Sequence, residues 1–210
     1  EQERIRQAVQ QAELVTKGEI VPMIVPASAR YREAGYRMGL MLALLALALL
    51  LLLTIEIYWL PWGWHAGNAG WLLLAVVSAY GFGQWLGRVP RVIRLVTSRE
   101  RLAHKVALRA EQAFYKHGLH HTQGRTGVLI FVSLLERRVQ VLADKGINDR
   151  VPAGTWDGLV NGIIEGIKAG QATDAICAAI ATCGALLAQI SPAGSGDNPN
   201  ELSDSLIQEP

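Results

Sequence analysis

Cysteine is scarce in this chain. Two thiols in 210 residues, Cys177 and Cys183, build no disulfide framework. They lie six positions apart in one apolar helical stretch, where they do not share a face well. Free buried thiols in a reducing compartment are the expectation, and no zinc-type Cys or His spacing involves them. Charge of one sign is also lacking: a formal net charge of +2 leaves no electrostatic footprint for nucleic acid. There is no nucleophile elbow, no His-Glu-x-x-His and no Rossmann fingerprint. The glycine-rich Gly124-Arg125-Thr126-Gly127 is not followed by Gly-Lys-Ser/Thr, so it is no P-loop, although Arg125 is a candidate phosphate contact. Finally, the stretch from Glu56 to Gly70 contains no Lys or Arg.

Long apolar runs are what the chain has instead. Gly39 to Thr54 is almost unbroken Leu and Ala, with no charge until Glu56. A second run extends from Trp71 to Gly87. A bilayer core is about 30 Å thick, and a helix of roughly 20 apolar residues crosses it, so the two runs read as a membrane hairpin. A hairpin buried in a water-soluble helical core is the alternative, and a leucine run of this length flanked by arginines fits it poorly. Arg30, Arg32 and Arg37 precede the hairpin, and Arg88, Arg91, Arg94, Arg99, Arg101 and Lys105 follow it. Positive residues favour the cytoplasmic side, so the expectation is a multi-pass protein of the cell inner membrane with both termini cytoplasmic. No signal-peptide pattern precedes the hairpin. Trp59, Trp62, Trp64 and Trp71 cluster at the outer end, and Tyr36 and Trp85 at the inner end, as interfacial anchors do.

Ala75, Ala79, Gly83 and Gly87 recur every fourth residue on one face of the second run, and the first run offers Gly39 and Ala43. Small residues at this spacing let helices approach closely, either within the hairpin or against another membrane helix. Gln84 is a polar amide that needs a partner or the headgroup layer.

About 150 residues remain for one compact domain. Glu3–Leu14 has helical apolar spacing, with Ile5, Ala8, Val9 and Ala12. Glu19–Val25 reads as a strand, with Pro22 suggesting an edge or a bulge. Ser98 caps a predicted helix to about Lys116, with Leu102, Val106, Ala110 and Phe114 on its buried stripe. His117–Arg125 reads as a loop, Thr126–Leu134 as a strong strand, Glu136-Arg137 as a turn and Arg138–Ala143 as the returning strand. Two helices follow, 156–169 and 173–190. The fold class is therefore α/β: an α/β/α sandwich with a small mixed sheet, interrupted by a two-helix transmembrane hairpin. The expected divisions are 1–36 (first helix and strand), 37–97 (hairpin and basic juxtamembrane segment), 98–190 (rest of the domain) and 191–210 (polar C-terminal tail).

Several stretches together resemble the TPM domain family: Thr16-Lys-Gly-Glu19-Ile20-Val21, Gly124-Arg-Thr-Gly127-Val-Leu-Ile-Phe-Val-Ser133, Arg138 to Ile147, Val151-Pro-Ala-Gly-Thr-Trp156 and Asn200 to Asp204. The likeness is to a bacterial branch with an inserted membrane hairpin. The family includes a thylakoid-lumen photosystem II repair protein and an accessory protein of an animal acetylcholine receptor. The resemblance implies an α/β/α sandwich. It also implies a choice among three activities: accessory factor for a membrane complex, weak acid phosphatase, or binder of calcium or another divalent ion. Better-known members read Gly-Tyr-Gly-Leu-Glu after the hairpin strands; here the sequence is Asp144-Lys-Gly-Ile-Asn148. Asn148 is a neutral oxygen at the glutamate position, which weakens inherited metal or phosphatase chemistry.

Calcium needs six to eight oxygens, and Asp144, Asn148 and Asp149 are the candidate ligands, against the plainer reading of a turn. Glu19, after Gly18, is a further candidate for an ion or for a structural hydrogen bond. His117, His120 and His121 cluster, but adjacent imidazoles in an extended loop rarely converge on one ion, and a solvated loop is the better reading. The leading expectation is a non-enzymatic, membrane-anchored accessory protein. Its partners would be the lipid bilayer and an integral membrane protein complex or a homo-oligomer. A divalent-metal-dependent acid phosphatase at the membrane surface, built from Asp144 and Asp149 with Glu19 as a further candidate and Arg125 on phosphate, and a self-assembling membrane scaffold are the alternatives.

Overall fold

A computed structural model describes residues 1–57, 68–122, 124–152, 154–193, 202 and 204–209. The chain runs α1 (Gln2–Glu13), β1 (Glu19–Val25), α2 (Arg32–Ile57), α3 (Asn68–Leu86), α4 (Pro90–Val96), α5 (Arg99–Lys116), β2 (Gly127–Ser133), β3 (Arg138–Ala143), α6 (Lys145–Asn148), α7 (Thr155–Lys168), α8 (Ala172–Ile190) and β4 (Ile207–Gln208), with a 3-10 turn at Leu119–His121. Two compact units result: residues 1–29 with 103–210, and residues 30–102.

The first unit is built on a mixed four-stranded sheet of order β3-β2-β1-β4. Strands β1 and β2 are parallel, from Glu19 against Gly127 to Val25 against Ser133, and β3 returns antiparallel to β2. Both central strands are covered on two faces, so their sequences are continuous apolar runs rather than alternating ones. Period two still sorts the side chains. Ile20, Val128, Ile130 and Val132 share one core with Ile5 and Val9 of α1, Leu159 and Ile163 of α7, and Ile176, Ile180, Cys183 and Leu187 of α8. Val21, Met23, Val25, Leu129 and Phe131 face the other way, against Val106, Ala110 and Phe114 of α5 and Leu119 of the 3-10 turn. This is the expected α/β/α sandwich, and the stripe on α5 is buried as its spacing implies.

Two sequence expectations are corrected here. Pro22 is not on an edge strand, because β4 adds to the outer flank of β1. The β4 ladder reaches only Met23 and Ile24, so Pro22, which has no N–H to give, lies just beyond it. The segment read as a polar tail thus returns to the sheet, and it is clamped there. The Glu209 carboxylate accepts from Arg109 at 2.6 Å and Lys116 at 2.5 Å on α5, and lies 3.2 Å from His117 Nε2. The Lys116 hydrogen bond, with Arg109 adding to it, holds the Glu209 carboxyl below its ordinary range. A depressed carboxyl contributes stability above the ordinary carboxylate range and loses it as pH falls through the lowered value. Glu209→Gln is therefore expected to cost about 1 kcal/mol near neutrality and almost nothing in acid. Hydrogen exchange in 204–209 at pH 7 and pH 3 measures this.

The second unit is a helix pair followed by a short helix. At 1.5 Å per residue, the 19 residues of α3 reach about 28 Å and the 26 of α2 about 39 Å. Among the described residues, Arg32–Leu53 and α8 are each long and apolar enough to cross a membrane. Helix α8 spends its apolar face on the sandwich core just described. Gly70–Leu86 meets the same test only together with α4, across a bend of 101°. Pro90 at the first turn of α4, after extended Val89, explains the break, since proline cannot continue a preceding helix.

The seam between α2 and α3 is glycine on both sides. A Cβ on Gly83 would stand 2.6 Å from Gly39 Cα, and one on Gly87 would stand 2.5 Å from Gly35 Cα. Ala75 and Ala79 are half-buried further along α3. Gln84 finds its partner inside its own helix, donating from Nε2 to the Tyr80 hydroxyl at 2.9 Å. With the seam made of small residues, the large ones point outward: Leu40, Leu44, Leu45, Leu49 and Leu52 on α2, and Trp71, Leu73, Val77, Phe82 and Trp85 on α3 are all exposed. Trp59, Trp62 and Trp64 lie outside the described residues.

Candidate functional site

Two ends of the sheet carry polar groups. At the carboxyl end, β1 and β2 finish side by side at Val25 and Ser133. The parallel ladder runs on into the loops, with Leu134 N donating to Val25 O at 3.0 Å and Leu135 N to Pro26 O at 2.9 Å. The chain then turns through Arg137, which is left-handed at φ 52°. That turn folds Glu136 back under the strand ends. Ser133 Oγ donates to Glu136 Oε2, Ser28 Oγ donates to Ser133 Oγ at 2.8 Å, and Ser28 N donates to Glu136 Oε1 at 2.9 Å. Ser133 and Glu136 are both buried. These bonds run from hydroxyl to hydroxyl to carboxylate, whereas a serine nucleophile takes its base from an imidazole in the chain of bonds. The arrangement is a clasp joining the β1 exit to the β2–β3 turn. Ser133→Ala leaves Ser28 and Glu136 each short of a bond and is expected to cost about 1 kcal/mol, read from the unfolding midpoint in urea.

Beside the clasp is a cavity of about 440 Å³. Arg137, Arg138 and Lys168 bring positive charge to it, and Val132, Val139, Ile164 and Ile167 give it an apolar wall. Open α/β sheets take ligands beyond the carboxyl ends of their strands. This position can hold an anionic group with an apolar body. Sequence reasoning missed it, since it saw Glu136-Arg137 only as a turn; the run Glu136-Arg137-Arg138 was the available signal.

The other end of the sheet holds the sequence-derived metal candidates. Glu19 is in register with Gly127, and Asp144 N donates to Gly127 O at 2.9 Å, so Glu19 and Asp144 flank the start of β2. Asp144 caps α6, with Oδ1 accepting from Lys145 N at 2.6 Å. Its Oδ2 is buried without a hydrogen-bond partner. Asp149 is the exposed C-cap of the same short helix. Asn148 is occupied differently, accepting from Trp156 Nε1 at 3.3 Å. Arg125, left-handed at φ 50°, comes close through its backbone: a Cβ on Gly146 would meet Arg125 O at 2.6 Å. Among the described residues no three His, Cys, Asp or Glu side chains converge as a metal ion requires.

The histidine segment is a 3-10 turn rather than an extended loop. His117 faces Glu209, and the rings of His120 and His121 lie 3.9 Å apart, with Tyr115 against His120 at 5.0 Å. Another acidic group escaped sequence reading. Glu13, at the end of α1, accepts from Ile20 N at 2.9 Å, and Asp204 close by accepts from Gln10 Nε2 at 3.0 Å. Burial, reinforced by the negative charges of Glu19 and Asp204, pushes the Glu13 carboxyl up to about 8. Of the thiols, Cys183 is buried and pushed up to about 12, so it is an inert core side chain, while Cys177 is half-buried.

Comparison with known proteins agrees with this architecture. Residues 92–186 match the family model of the TPM domain. The matched segment contains the Gly124–Ser133 and Arg138–Ile147 stretches on which the resemblance rested; Thr16–Val21 lies outside it. No curated protein matches the chain. Among solved structures, the NMR structure of the BA42 protein from the psychrophilic bacterium Bizionia argentinensis is similar in fold, at a TM-score of 0.59 and 19% identity, covering 99% of this chain and 92% of that one.

Proposed function

We propose that the chain is a membrane-anchored TPM-domain accessory protein. In this reading α2 and α3 hold it in a bilayer, both termini are cytoplasmic, and the α/β unit serves an integral membrane protein complex. One observation carries the reading: α2 and α3 spend their small residues on each other and leave their large apolar side chains exposed. An apolar surface of this extent is not left to water, and lipid is the solvent that suits it. The arginine distribution supports the orientation. Purification from native membranes in mild detergent tests the role. A complex recovered at fixed stoichiometry supports it; a lone monomer counts against it, and a symmetric homo-oligomer points instead to a scaffold. Orientation is checked separately: a cysteine introduced by Ala66→Cys should label with an impermeant maleimide from outside the cell.

A second reading has its own observation, the buried Asp144 Oδ2 that lacks a hydrogen bond. A divalent ion at Asp144, with Asp149 in support, would satisfy that oxygen and serve a metal-dependent phosphatase. Calorimetric titration with calcium, and phosphatase assays of the chain and of Asp144→Asn, decide it. Heat of binding and turnover that both vanish in the variant support it; no heat in either protein removes it.

A further inference from the structure

A second cavity, of about 490 Å³, lies within the 30–102 unit, at the inner end of the helix pair. The glycine seam lines it at Gly35 and Gly87, where a Cβ on Gly87 would stand 2.5 Å from Gly35 Cα. Arg30, Arg32 and Arg88 line it, and Ile93 of α4 closes one wall because the chain bends after α3. None of these three guanidinium groups has an ion-pair or hydrogen-bond partner among the described residues. Three fixed positive charges around one cavity, with no carboxylate among its described lining residues, call for an anion. Guanidinium forks match phosphate oxygens in two-point fashion. The cavity lies where α2 and α3 change from apolar to basic, with exposed Tyr36 and Trp85 at the same level. That is the depth at which the headgroups of a bilayer sit.

We propose that this cavity binds the phosphate headgroup of an anionic phospholipid of the inner leaflet. The proposal rests on the anchoring reading above and adds a specific ligand to it. The headgroup phosphate enters among Arg30, Arg32 and Arg88, and its acyl chains run down the exposed leucine surface of α2. Bound there, one lipid fixes the inner ends of the two helices where their backbones cross. A zwitterionic lipid brings its own cation into a basic cavity and is held less well.

The full chain and the double variant Arg32→Gln/Arg88→Gln are placed in vesicles of equal parts phosphatidylcholine and phosphatidylglycerol. Alkaline carbonate extraction first reports insertion. Native mass spectrometry of the ejected protein then reports retained lipid, with and without inorganic phosphate. Expected is insertion of both proteins, phosphatidylglycerol retained over phosphatidylcholine, and about a tenfold fall in that preference in the variant. Equal retention of the two lipids by an inserted wild-type chain overturns the headgroup site alone. So does a preference unchanged in the variant. Full displacement of the lipid by millimolar inorganic phosphate shows that the cavity takes the free anion, and also overturns it. Release of the wild-type chain by carbonate overturns the anchoring reading, and this proposal with it.

Discussion

Replacing Glu13 by glutamine is expected to stabilise the α/β unit at pH 8.5 and to leave it nearly unchanged at pH 5. The Glu13 carboxyl is raised from its ordinary 4.5 to about 8, first by burial and then by the charges of Glu19 and Asp204, which outweigh the hydrogen bond from Ile20 N. A carboxyl whose folded value is raised binds more protons folded than unfolded, so stability is full below the ordinary value and declines as pH rises towards about 8. Unscreened, that gap is worth about 5 kcal/mol; for a carboxyl only part-buried, solvent screening reduces it to about 2 kcal/mol. Glutamine keeps an oxygen for Ile20 N and removes the charge, so the decline should flatten. Hydrogen exchange of the β2 amides, measured at pH 5, 6.5 and 8.5 and corrected for intrinsic rates, reads the difference. A wild-type chain whose protection is constant over that range would show that Glu13 ionises in the fold without penalty.

Glu13 also marks where sequence reading stops. It lies on a polar helix, four residues beyond buried Val9, and looks like any solvated glutamate. Its environment is made by β1 and by Asp204, which is 191 positions away along the chain. The same limit explains the Ser28–Ser133–Glu136 clasp, which exists only because Arg137 takes a left-handed conformation and folds Glu136 back. Strand β4 has two residues and no pattern of its own; an open flank on β1 recruits it. What was legible followed from periodicity. Leu102, Val106, Ala110 and Phe114 step along one helical stripe, and Val128–Val132, the middle of the predicted strand 126–134, is apolar without interruption because both faces of β2 are covered. The leucine run of α2 identified itself by length. The small-residue face of α3 was legible as a close-packing surface, while what it packs against depended on where Gly35 and Gly39 fall on α2. Asp144 was placed correctly near a strand end, but its capping of α6 depends on a four-residue helix too short to leave a sequence signature.

Gly87→Ala and Gly83→Ala are expected to force α2 and α3 apart, whereas Gly81→Ala in the same helix should not. At Gly83 and Gly87 an added Cβ would meet backbone atoms of Gly39 and Gly35 at 2.6 Å and 2.5 Å, and backbone has no rotamer to escape into. The helices must separate by about 1 Å to restore ordinary contact, at a cost of about 1–3 kcal/mol for each substitution. Gly81 has nothing within 4 Å of its ideal Cβ, so alanine there meets no clash and gains about 1 kcal/mol of helix propensity. Spin labels at the exposed positions Leu44 and Val77 report the separation in detergent or vesicles. A longer and broader distance distribution for the Gly83 and Gly87 variants, with the Gly81 variant matching wild type, is the expected pattern. An unchanged distance in Gly87→Ala would mean that the seam can slide and absorb the added methyl without separating the helices. The experiment also separates two uses of the small-residue face. If its purpose is the internal seam, the variants should lose helix–helix geometry before they lose any partner. If a partner's helix normally fills that face, the partner should be lost at once, with the distance between the labels unaltered.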